Sequence, residues 1–421
     1  MFRPSRRQFL QTSAALIAAP TIVPRSCFGA NERISVACIG VKNQGGGNLD
    51  RFQKAGCDVV AICDVDSHVR ADAMKKIQAK DRTCEQFDDF RRALDLKGVD
   101  AVVISTPDHW HAIMTILACQ AGKDVYCEKP LSLTITEGRR MVTAARANNR
   151  VVQTGSMQRS GKEFHQACTL VRNGVIGKLQ KILVGLPKAN HPGPLGPDAD
   201  PPANLDYDTW LGPAPQRPYN EKRVHYNFRF WWDYSGGQMT NWGAHHIDIA
   251  QWGHGTDDTG PIRVEGTAEF NRDKVHEVTE KCLITCTYAD GVQLVIGQDQ
   301  KEIPGGTTFI GEGGRLHVDR GKISSDPEGI VKTTDIEALP VKLIKAGDHT
   351  RNFLNCMRTR ENPVADVEIG HRSATICHLA NIVARLGRAV DWDPVNEAFK
   401  NDPEAQAMCD RNYRSPWTHL G

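Results

Sequence analysis

The sequence lacks an excess of charge of either sign. Its 52 lysine and arginine residues are nearly balanced by 50 aspartates and glutamates, which leaves a formal net charge of +2 at pH 7 over 421 residues. Basic and acidic residues are interspersed, so neither a nucleic-acid-binding surface nor a patch for anionic membranes is indicated. We therefore expect the partner to be a small molecule and no nucleic acid.

Long hydrophobic runs are also missing. The run from Ala14 to Val23 is too short and too mildly apolar to span a membrane stably. It follows Arg6-Arg7 and Phe9-Leu10, and a twin arginine ahead of a short apolar run is typical of a twin-arginine export signal. We interpret residues 1–30 as this signal and expect a periplasmic protein with no integral membrane segment when mature. The alternative is a frayed N-terminal helix on a cytosolic protein.

The sequence contains no paired C-x-x-C sets with histidines, no internal repeat and no low-complexity tract. A structural zinc site is therefore not expected, and we predict no metal site. Most of the 13 cysteines stand singly inside apolar runs, as Cys38, Cys63 and Cys127 do. Such cysteines are typically small buried hydrophobic residues, so we expect them to be reduced.

The chain is long enough to form two hydrophobic cores. From Ile34 to Gly155, short apolar runs alternate with amphipathic stretches, and the runs lack the polar alternation of half-exposed strands. This pattern predicts an α/β domain with a doubly wound parallel sheet of the Rossmann type over residues 31–155. The expected strands are Ile34–Ile39, Asp58–Ile62, Ala101–Ser105, Asp124–Cys127 and Val151–Thr154.

A different pattern follows over residues 156–421. Apolar and polar residues alternate in Val264–Phe270, and a hairpin signal, Asp290-Gly291, precedes Gln293–Gln298. We expect a C-terminal α+β domain with a large open, mostly antiparallel sheet. The segment His191–Pro218 is crowded with Pro, Gly and Asp, and a loop of this length is typically functional, so we interpret it as a lid or specificity segment.

The first predicted strand runs into a glycine-rich turn with the residues Gly40, Val41, Lys42, Asn43, Gln44 and Gly45. The turn matches the first and third glycines of the dinucleotide fingerprint G-x-G-x-x-G. Lys42 occupies the middle position, where glycine lets the backbone approach the pyrophosphate. The lysine therefore indicates either a shifted phosphate path or a side chain folded over the phosphates.

The second predicted strand ends at Asp64, nineteen residues after Gly45. An acid at this place binds the adenosine ribose hydroxyls and repels a 2′-phosphate. Together with the glycine-rich turn it predicts a dinucleotide, NAD rather than NADP. The alternatives are a chance glycine turn and an ordinary helix-start acid, a role for which Asp66 competes.

The predicted strand Asp124–Cys127 ends in Glu128-Lys129-Pro130. Proline biases the residue before it away from helix, so Lys129 is expected at the carboxyl end of the strand, where ligands bind in open α/β sheets. A partly desolvated ammonium there has a lowered pKa that suits proton transfer, although an ordinary surface lysine is the alternative. The turn Thr106-Pro107-Asp108-His109 follows a neighbouring strand and is expected to line the nicotinamide side; Asp108 and His109 also fit ordinary cap or surface roles.

An aromatic stretch from Tyr226 to Asp248 is the second informative segment. Aromatic faces suit the apolar side of a sugar ring, and Asn, Arg and His suit its hydroxyls. The candidate substrate residues are Arg229, Trp231, Asn241, His245 and His246. A helix from about Gly243 places Asp248 three residues after His245 on the same face, where it would fix the tautomer of His245 or His246. The alternative is a helix whose histidines are buried and satisfied.

With these motifs in this order, the sequence resembles the Gfo/Idh/MocA superfamily, the oxidoreductases that include glucose-fructose oxidoreductase and inositol dehydrogenase. The residues that carry the resemblance are Gly40 to Gly45, Thr106-Pro107-Asp108-His109, Glu128-Lys129-Pro130 and Gly243-Ala244-His245-His246-Ile247-Asp248. The resemblance extends over nearly the whole mature chain and includes the exported branch of the family. It implies hydride transfer between a nicotinamide and a sugar or polyol carbon, and an open sheet that supports a homo-oligomer, a dimer or a tetramer.

The resemblance also implies roles for individual residues. Lys129 and His245 would be the catalytic pair, with His245 as the general base or acid on the reacting hydroxyl and Lys129 orienting and polarising its oxygen. Asn241 joins them at a position that is an aspartate in inositol dehydrogenase relatives; an amide hydrogen-bonds a hydroxyl but cannot share the proton of the histidine. The implied cofactor contacts are Gly40, Lys42, Asn43, Gln44, Gly45, Asp64, Thr106, Pro107, His109, Glu128 and Lys129.

Three functions fit these residues. The first is an exported NAD-dependent oxidoreductase of a sugar, polyol or glycoside, with a tightly held and internally recycled cofactor because free NAD is scarce outside the cytoplasm. The second is an NAD-dependent glycoside lyase or hydrolase, in which transient oxidation at C3 acidifies the C2 hydrogen. The third is a non-catalytic NAD or sugar sensor, which the departures at Lys42 and Asn241 favour.

Overall fold

The computed structural model describes residues 33–78, 83–271 and 276–419. The predicted export signal, residues 1–30, lies outside the described residues. No helix in the described part of the chain has the length and apolar character needed to cross a membrane. The twelve described cysteines are unpaired, and all except Cys84 are buried, which confirms the prediction of small hydrophobic cysteines.

The N-terminal domain is built on six parallel strands. These are β1 (Ser35–Ile39), β2 (Asp58–Cys63), β3 (Glu85–Phe87), β4 (Ala101–Ile104), β5 (Asp124–Cys127) and β6 (Val152–Thr154). The helices are α1 (Gln44–Ala55), α2 (Ser67–Gln78), α3 (Phe90–Asp95), α4 (His111–Gln120) and α5 (Ile135–Ala147). The strand order β3-β2-β1-β4-β5-β6 reverses between β1 and β4, and a ligand crevice opens at such a reversal. Successive residues of the strands enter hydrophobic clusters on opposite faces, as a sheet covered by helices on both sides requires.

The C-terminal domain contains a nine-stranded sheet. Its strands are β7 (Leu179–Leu186), β8 (Arg263–Phe270), β9 (Thr279–Thr287), β10 (Gln293–Gln298), β11 (Gly306–Gly311), β12 (Gly314–Asp319), β13 (Lys322–Asp326), β14 (Val390–Asp393) and β15 (Ala398–Phe399). The helices are α6 (Lys162–Arg172), α7 (Tyr207–Leu211), α8 (Gln238–Asn241), α9 (Gly243–His254), α10 (Gly329–Thr333), α11 (His349–Thr359), α12 (Val367–Leu386) and α13 (Pro403–Ala407).

The order of this sheet is β13-β12-β11-β7-β10-β9-β8-β14-β15. Strands β7 and β10 pair in parallel, and their other neighbours are antiparallel. Helices α6, α9 and α12 pack on one face. Side chains on the opposite face alternate out into solvent along β8 and β9, where Leu283 is 41% exposed. The predicted fold class is confirmed, including the open face of the sheet.

The sequence patterns located the long elements well and the short ones poorly. Strand β10 has the predicted bounds, Gln293–Gln298. The patterns missed β3, β13, β14 and β15, which are short strands at or near sheet edges. The predicted lid segment, residues 191–218, contains α7, and its Thr209 and Trp210 face the cavity described below.

The two domains are tied together by residues far apart in the chain. Helix α5 packs on α12, and Arg139 of α5 donates to Glu368 of α12 at 2.7 Å and to Glu397 at 2.8 Å. Near the C-terminus, Trp417 packs edge-on against Trp110, inside a core cluster of the N-terminal domain. These contacts hold the second domain against the crevice of the first.

Candidate active site

A cavity of about 400 Å³ lies where the carboxyl ends of β1, β4 and β5 meet the C-terminal domain. Twelve of the sixteen candidate cofactor and substrate residues line it. They are Gly40, Lys42, Asn43, Gln44, Asp64, Thr106, Pro107, Glu128, Lys129, Arg229, Asn241 and His245. The two halves of the chain therefore contribute to one site.

Two positions of the glycine-rich turn require glycine because other backbone atoms lie very close to them. Gly40 has φ +75°, and a Cβ atom there would lie 2.8 Å from the backbone of Ser105. A Cβ atom on Gly45 would lie 1.9 Å from the carbonyl oxygen of Gly40. Gly45 itself does not line the cavity. Its role is to let the start of α1 approach the end of β1, as the third fingerprint glycine does.

Lys42, in the middle fingerprint position, has an exposed side chain at the rim of the cavity. The next residue, Asn43, adopts a left-handed φ of +48° and leads into α1. The Gln44 side chain donates through Nε2 to Oε1 of Glu128 at 3.0 Å. The turn therefore places an exposed lysine side chain at the cavity where the fingerprint has glycine.

Glu128 is a buried anchor between β5 and α1. Its Oε1 accepts from Gln44 at 3.0 Å and from Asn48 Nδ2 at 2.9 Å. A Cβ atom on Gly155 would lie 2.9 Å from its carboxylate, so the neighbouring chain also packs tightly around this group. With its oxygens held in this way, Glu128 fixes the start of α1 beside Lys129.

Asp64 lies at the end of β2 beside the glycine-rich turn. Its carboxylate accepts from the backbone N–H of Val41 at 2.9 Å and of Asp66 at 3.0 Å, while burial raises the pKa of the carboxyl group. Asp66 accepts from the N–H of His68 at 3.0 Å at the start of α2. Asp66 therefore has the capping role, and Asp64 lines the cavity.

Only part of the turn after β4 lines the cavity. Thr106, Pro107 and Asp108 line the cavity, and Asp108 accepts from Ser235 Oγ at 2.6 Å. His109 does not line it, because its Nε2 bonds to the carbonyl oxygen of Trp210 at 3.0 Å and its ring is buried. The expectation that His109 contacts the cofactor is corrected: the ring packs behind the cavity wall.

Lys129 is half-buried at the centre of the cavity. Its Nζ donates to Oδ1 of Asn241 at 2.8 Å, which joins the two domains at the site. Burial lowers the pKa of the ammonium group, and the negative charges of Glu128 and Asp108 act in the opposite direction. A lysine with a lowered pKa and a fixed donor direction is suited to polarising a substrate oxygen.

His245 lies in the first turn of α9 and lines the same cavity. Burial, followed by the positive charges of Lys129 and Arg320, lowers the pKa of the imidazole well below its usual value of 6.5. Its Nδ1 has no hydrogen-bond partner among the described residues. The imidazole is therefore mainly neutral at neutral pH.

Asp248 does not orient either histidine, which corrects the expectation drawn from helix spacing. Its carboxylate accepts from Nε of Arg159 at 2.8 Å and from Ser373 Oγ at 2.9 Å, and all three side chains are buried. Arg159 also donates to Asp257 at 2.6 Å. This buried ion-pair network is part of the core beneath α9 and not of the site.

Two further candidates lie outside the cavity lining. Trp231 is 2% exposed and belongs to a hydrophobic cluster, with its Nε1 donating to the carbonyl of Lys222 at 3.3 Å. His246 stacks on Trp242 with ring centroids 5.7 Å apart. Neither lines the cavity. We correct both assignments to packing residues.

Several cavity residues were not singled out from the sequence as site residues. They are Ser105, Met157, Ser235, Trp242 and Arg320, together with the aromatic residues Tyr226 and Phe228. Trp242 lies within the aromatic stretch already recognised, and its ring is in contact with His246 and Arg320. Arg320 follows β12, in a segment with no motif, so no signal in the sequence pointed to it.

The arrangement supports proton transfer and oxygen polarisation beside a dinucleotide loop. Lys129 and His245 have the chemistry for these two actions, and Asn241 accepts a hydrogen bond from the lysine. Among the residues that the structure describes, no group of three or more His, Cys, Asp or Glu side chains is placed to hold a metal ion.

Two family models match the chain. A model of the Gfo/Idh/MocA oxidoreductase family, described as its NAD-binding Rossmann fold, matches residues 33–156. A second, described as the C-terminal alpha/beta domain of the oxidoreductase family, matches residues 195–419. The two matches together include every residue that we place in the cavity except Met157.

Curated relatives align with parts of the chain. Inositol 2-dehydrogenase from Salmonella typhimurium is 31% identical over 150 residues, which is 34% of this chain and 43% of that protein. Glycosyl hydrolase family 109 protein 1 from Shewanella sp. (strain ANA-3) is 28% identical over 202 residues, 41% of this chain and 44% of the relative. The chain thus spans less than half the length of these relatives.

Solved structures share the fold. Aldose-aldose oxidoreductase from Caulobacter crescentus, complexed with glycerol, superposes with a TM-score of 0.62 and covers 85% of this chain and 99% of its own. The two sequences are 17% identical, so this likeness concerns the fold alone.

Proposed function

Since the chain belongs to the Gfo/Idh/MocA family of oxidoreductases, we propose that it transfers a hydride between NAD and a hydroxyl-bearing carbon of a sugar, polyol or glycoside. The observation that carries this proposal is the convergence of Lys129 and His245, which come from different domains, on one cavity that begins at Gly40. Inositol 2-dehydrogenase, a relative over part of the chain, supports a polyhydroxylated substrate.

The residues present fit a dinucleotide. The contacts around Gly40 and Gly45 leave room for backbone only, as a pyrophosphate cradle needs, and the N-terminus of α1 favours phosphate charge. Asp64 would hold the adenosine ribose, and its carboxylate disfavours a 2′-phosphate. When bound, NAD supplies the hydride acceptor.

Within this site, each catalytic side chain has one action in the proposed oxidation. The neutral imidazole of His245 takes the proton from the reacting hydroxyl, so that the C–H bond electrons leave as hydride and a carbonyl forms. The Lys129 ammonium, which Asn241 holds, donates a hydrogen bond to the developing oxyanion. Reduction is the reverse, with His245 returning the proton.

Two further features of the proposal concern the cofactor and the location. The twin arginine Arg6-Arg7 supports export to the periplasm. Free NAD is scarce there, which supports a tightly held cofactor that one substrate reduces and another reoxidises. The shared fold with an enzyme named for two aldoses fits such recycling. The open face of the C-terminal sheet supports a homo-oligomer, a dimer or a tetramer.

Native mass spectrometry of the purified mature protein tests the proposal. We expect one dinucleotide per chain and a homo-oligomer, and we expect added sugars or polyols to produce bound NADH. A protein that carries no dinucleotide and loses added NAD on dialysis would refute cofactor recycling. A protein that binds NAD but does not reduce it with any polyhydroxylated compound would refute the oxidoreductase assignment.

The similarity to a glycosyl hydrolase family 109 protein favours a second candidate. In that reaction, oxidation at C3 of a glycoside acidifies the C2 hydrogen, and loss of the C2 proton together with the C1 substituent breaks the glycosidic bond. Water then adds at C1 while a solvent proton returns to C2, and reduction of the C3 carbonyl regenerates NAD. The same Lys129 and His245 would serve both reactions. A hydrolase incorporates solvent deuterium at C2 of the released sugar, whereas a plain dehydrogenase does not.

A further inference from the structure

Two guanidinium groups line the substrate side of the cavity without a carboxylate partner. Arg229 and Arg320 both line it, and neither forms an ion pair with any Asp or Glu of the described residues. Arg229 lies 3.9 Å from the ring centroid of Tyr226 and donates to the carbonyl oxygen of that residue at 2.7 Å. Arg320 lies 4.7 Å from the ring centroid of Trp242. Aromatic contacts thus hold both groups in place.

The acidic residues near the reacting position are already engaged. Glu128 accepts from Gln44 and Asn48, and Asp108 accepts from Ser235. Both carboxylates also act electrostatically on the ammonium of Lys129. The charge of Asp108 acts on Arg229 from a distance. Neither Arg229 nor Arg320 has a carboxylate within ion-pair distance among the described residues.

This imbalance has an energetic cost that a ligand can offset. This cost concerns Arg229, which is half-buried and whose pKa is lowered by burial, whereas Arg320 is exposed and contributes positive charge only. A desolvated cation is stabilised strongly by an anion placed against it. The planar guanidinium, held against an aromatic ring, presents its remaining N–H donors as a fork that matches a carboxylate or phosphoryl group.

The phosphates of the dinucleotide do not account for this pair. A pyrophosphate lies at the N-terminus of α1, beside Gly40 and Gly45. The charge of Arg320 acts to lower the pKa values of Lys129 and His245, the groups between which we place the reaction. The charge of Arg229 acts in the same direction on the pKa values of Lys129 and Asp108. Both arginines therefore belong to the substrate end of the cavity.

We propose that the substrate is an acidic sugar, whose carboxylate or phosphoryl group is held by Arg229 and Arg320 while a hydroxyl of the same ring reacts between Lys129 and His245. This inference rests on the proposed function, because it places the anion on the substrate of that reaction. It narrows the substrate class from sugars in general to sugars that carry an oxyanion.

Calorimetric titration of the NAD-loaded full chain with glucose, glucuronate and glucose 6-phosphate tests the inference. We expect an acidic probe to bind at least about tenfold more tightly than glucose. Preference for glucuronate identifies a carboxylate, and preference for glucose 6-phosphate identifies a phosphoryl group. We expect R229Q and R320Q each to weaken binding of the preferred probe by about 10- to 100-fold and binding of glucose by much less.

A matched control is R315Q, because Arg315 lies on β12 near Arg320 but is 65% exposed and pairs with Asp326 at 3.3 Å outside the cavity. This variant is expected to bind all probes as the parent chain does. Glucose binding as tightly as both acidic probes, no binding of either acidic probe, or equal losses for glucose and acidic probes in R229Q and R320Q would each overturn the inference. Selective binding of an acidic probe without NAD reduction would support it and count against the proposed function.

Discussion

The two walls of the cavity are built in opposite ways. On the N-terminal wall, polar groups are satisfied by protein: Glu128 accepts two side-chain hydrogen bonds and Asp64 two backbone ones. On the C-terminal wall, Arg229 and Arg320 form no ion pair with any carboxylate of the described residues.

The polar groups of the N-terminal wall are hydrogen-bonded within the protein, whereas the C-terminal wall offers charged groups that a ligand can pair with. A satisfied, close-packed surface is preorganised, so it suits a cofactor that stays bound through many turnovers. Unpaired donors are costly unless a ligand meets them, so they suit a substrate that arrives and leaves. Lys129 lies between the two walls and is bonded to Asn241 across them.

The largest effect is expected from K129M, which removes the ammonium at the junction of the walls while keeping most of the length of the side chain. Turnover should fall by about 10²- to 10⁴-fold, because oxygen polarisation is lost, while NAD affinity changes little. Steady-state kinetics and NAD titration measure the two quantities separately.

The matched control for K129M is K123M. The Nζ of Lys123 donates to the carbonyl of Val99 at 2.7 Å, at the opposite end of the strand that leads to Lys129. This variant should keep the turnover of the parent chain. Turnover by K129M at the parent rate would remove Lys129 from the catalytic machinery.

A pair of glycine substitutions tests whether the N-terminal wall is tightly packed. In G45A the new Cβ would lie 1.9 Å from the Gly40 oxygen, whereas in G47A the nearest heavy atom, on the flexible Arg51 side chain, is 3.8 Å away. We expect G45A to lower the free energy of unfolding by about 1–3 kcal/mol and to weaken NAD binding. G47A should be neutral or slightly stabilising, since alanine is favoured in a helix. Equal behaviour of the two variants in denaturant titrations would contradict the close contact.

The charge of Asp64 is expected to set the preference for NAD. D64N keeps a hydrogen-bond acceptor for one of the two backbone N–H groups and removes the negative charge. The ratio of NADP affinity to NAD affinity should rise by about tenfold, because repulsion of a 2′-phosphate is reduced. Titration of the apoprotein with both dinucleotides gives this ratio. An unchanged ratio would show that Asp64 does not face the ribose.

The smallest effect concerns the pH dependence of the C-terminal wall. A general base is inactive when protonated, and the pKa of His245 lies well below 6.5, so the acid limb of the kcat/KM profile should fall below pH 6.5. R320Q removes a positive charge that lowers this pKa, so the limb should move upward by about half a pH unit with a neutral sugar. An acid limb above pH 6.5 in the parent chain would exclude His245 as the base.

Much of the N-terminal wall was predictable because its functional residues lie in short contiguous motifs. The glycine-rich turn, Asp64 and Lys129 each follow directly from a strand, and the carboxyl ends of parallel strands meet at one edge. The domain type followed from the same pattern of buried strands. The short strand β3 was missed because three residues carry too little periodicity.

The C-terminal wall was less predictable because it depends on contacts between distant residues. Asp248 has the helical spacing to reach His245, yet its partner Arg159 lies 89 positions away in the chain and is equally buried. His246 follows His245 directly, and one step along a helix turns it away from the cavity onto Trp242. Arg320 follows an ordinary hairpin strand, and only the folded sheet brings it to the site.

The most direct measurement is an experimental structure of the chain with bound NAD. We predict a nicotinamide ring whose reactive carbon faces the space between Nζ of Lys129 and the imidazole of His245, with the pyrophosphate over Gly40 and the ribose at Asp64. A dinucleotide bound elsewhere, or a nicotinamide ring separated from Lys129 and His245 by protein, would contradict the assignment of this cavity as a hydride-transfer site.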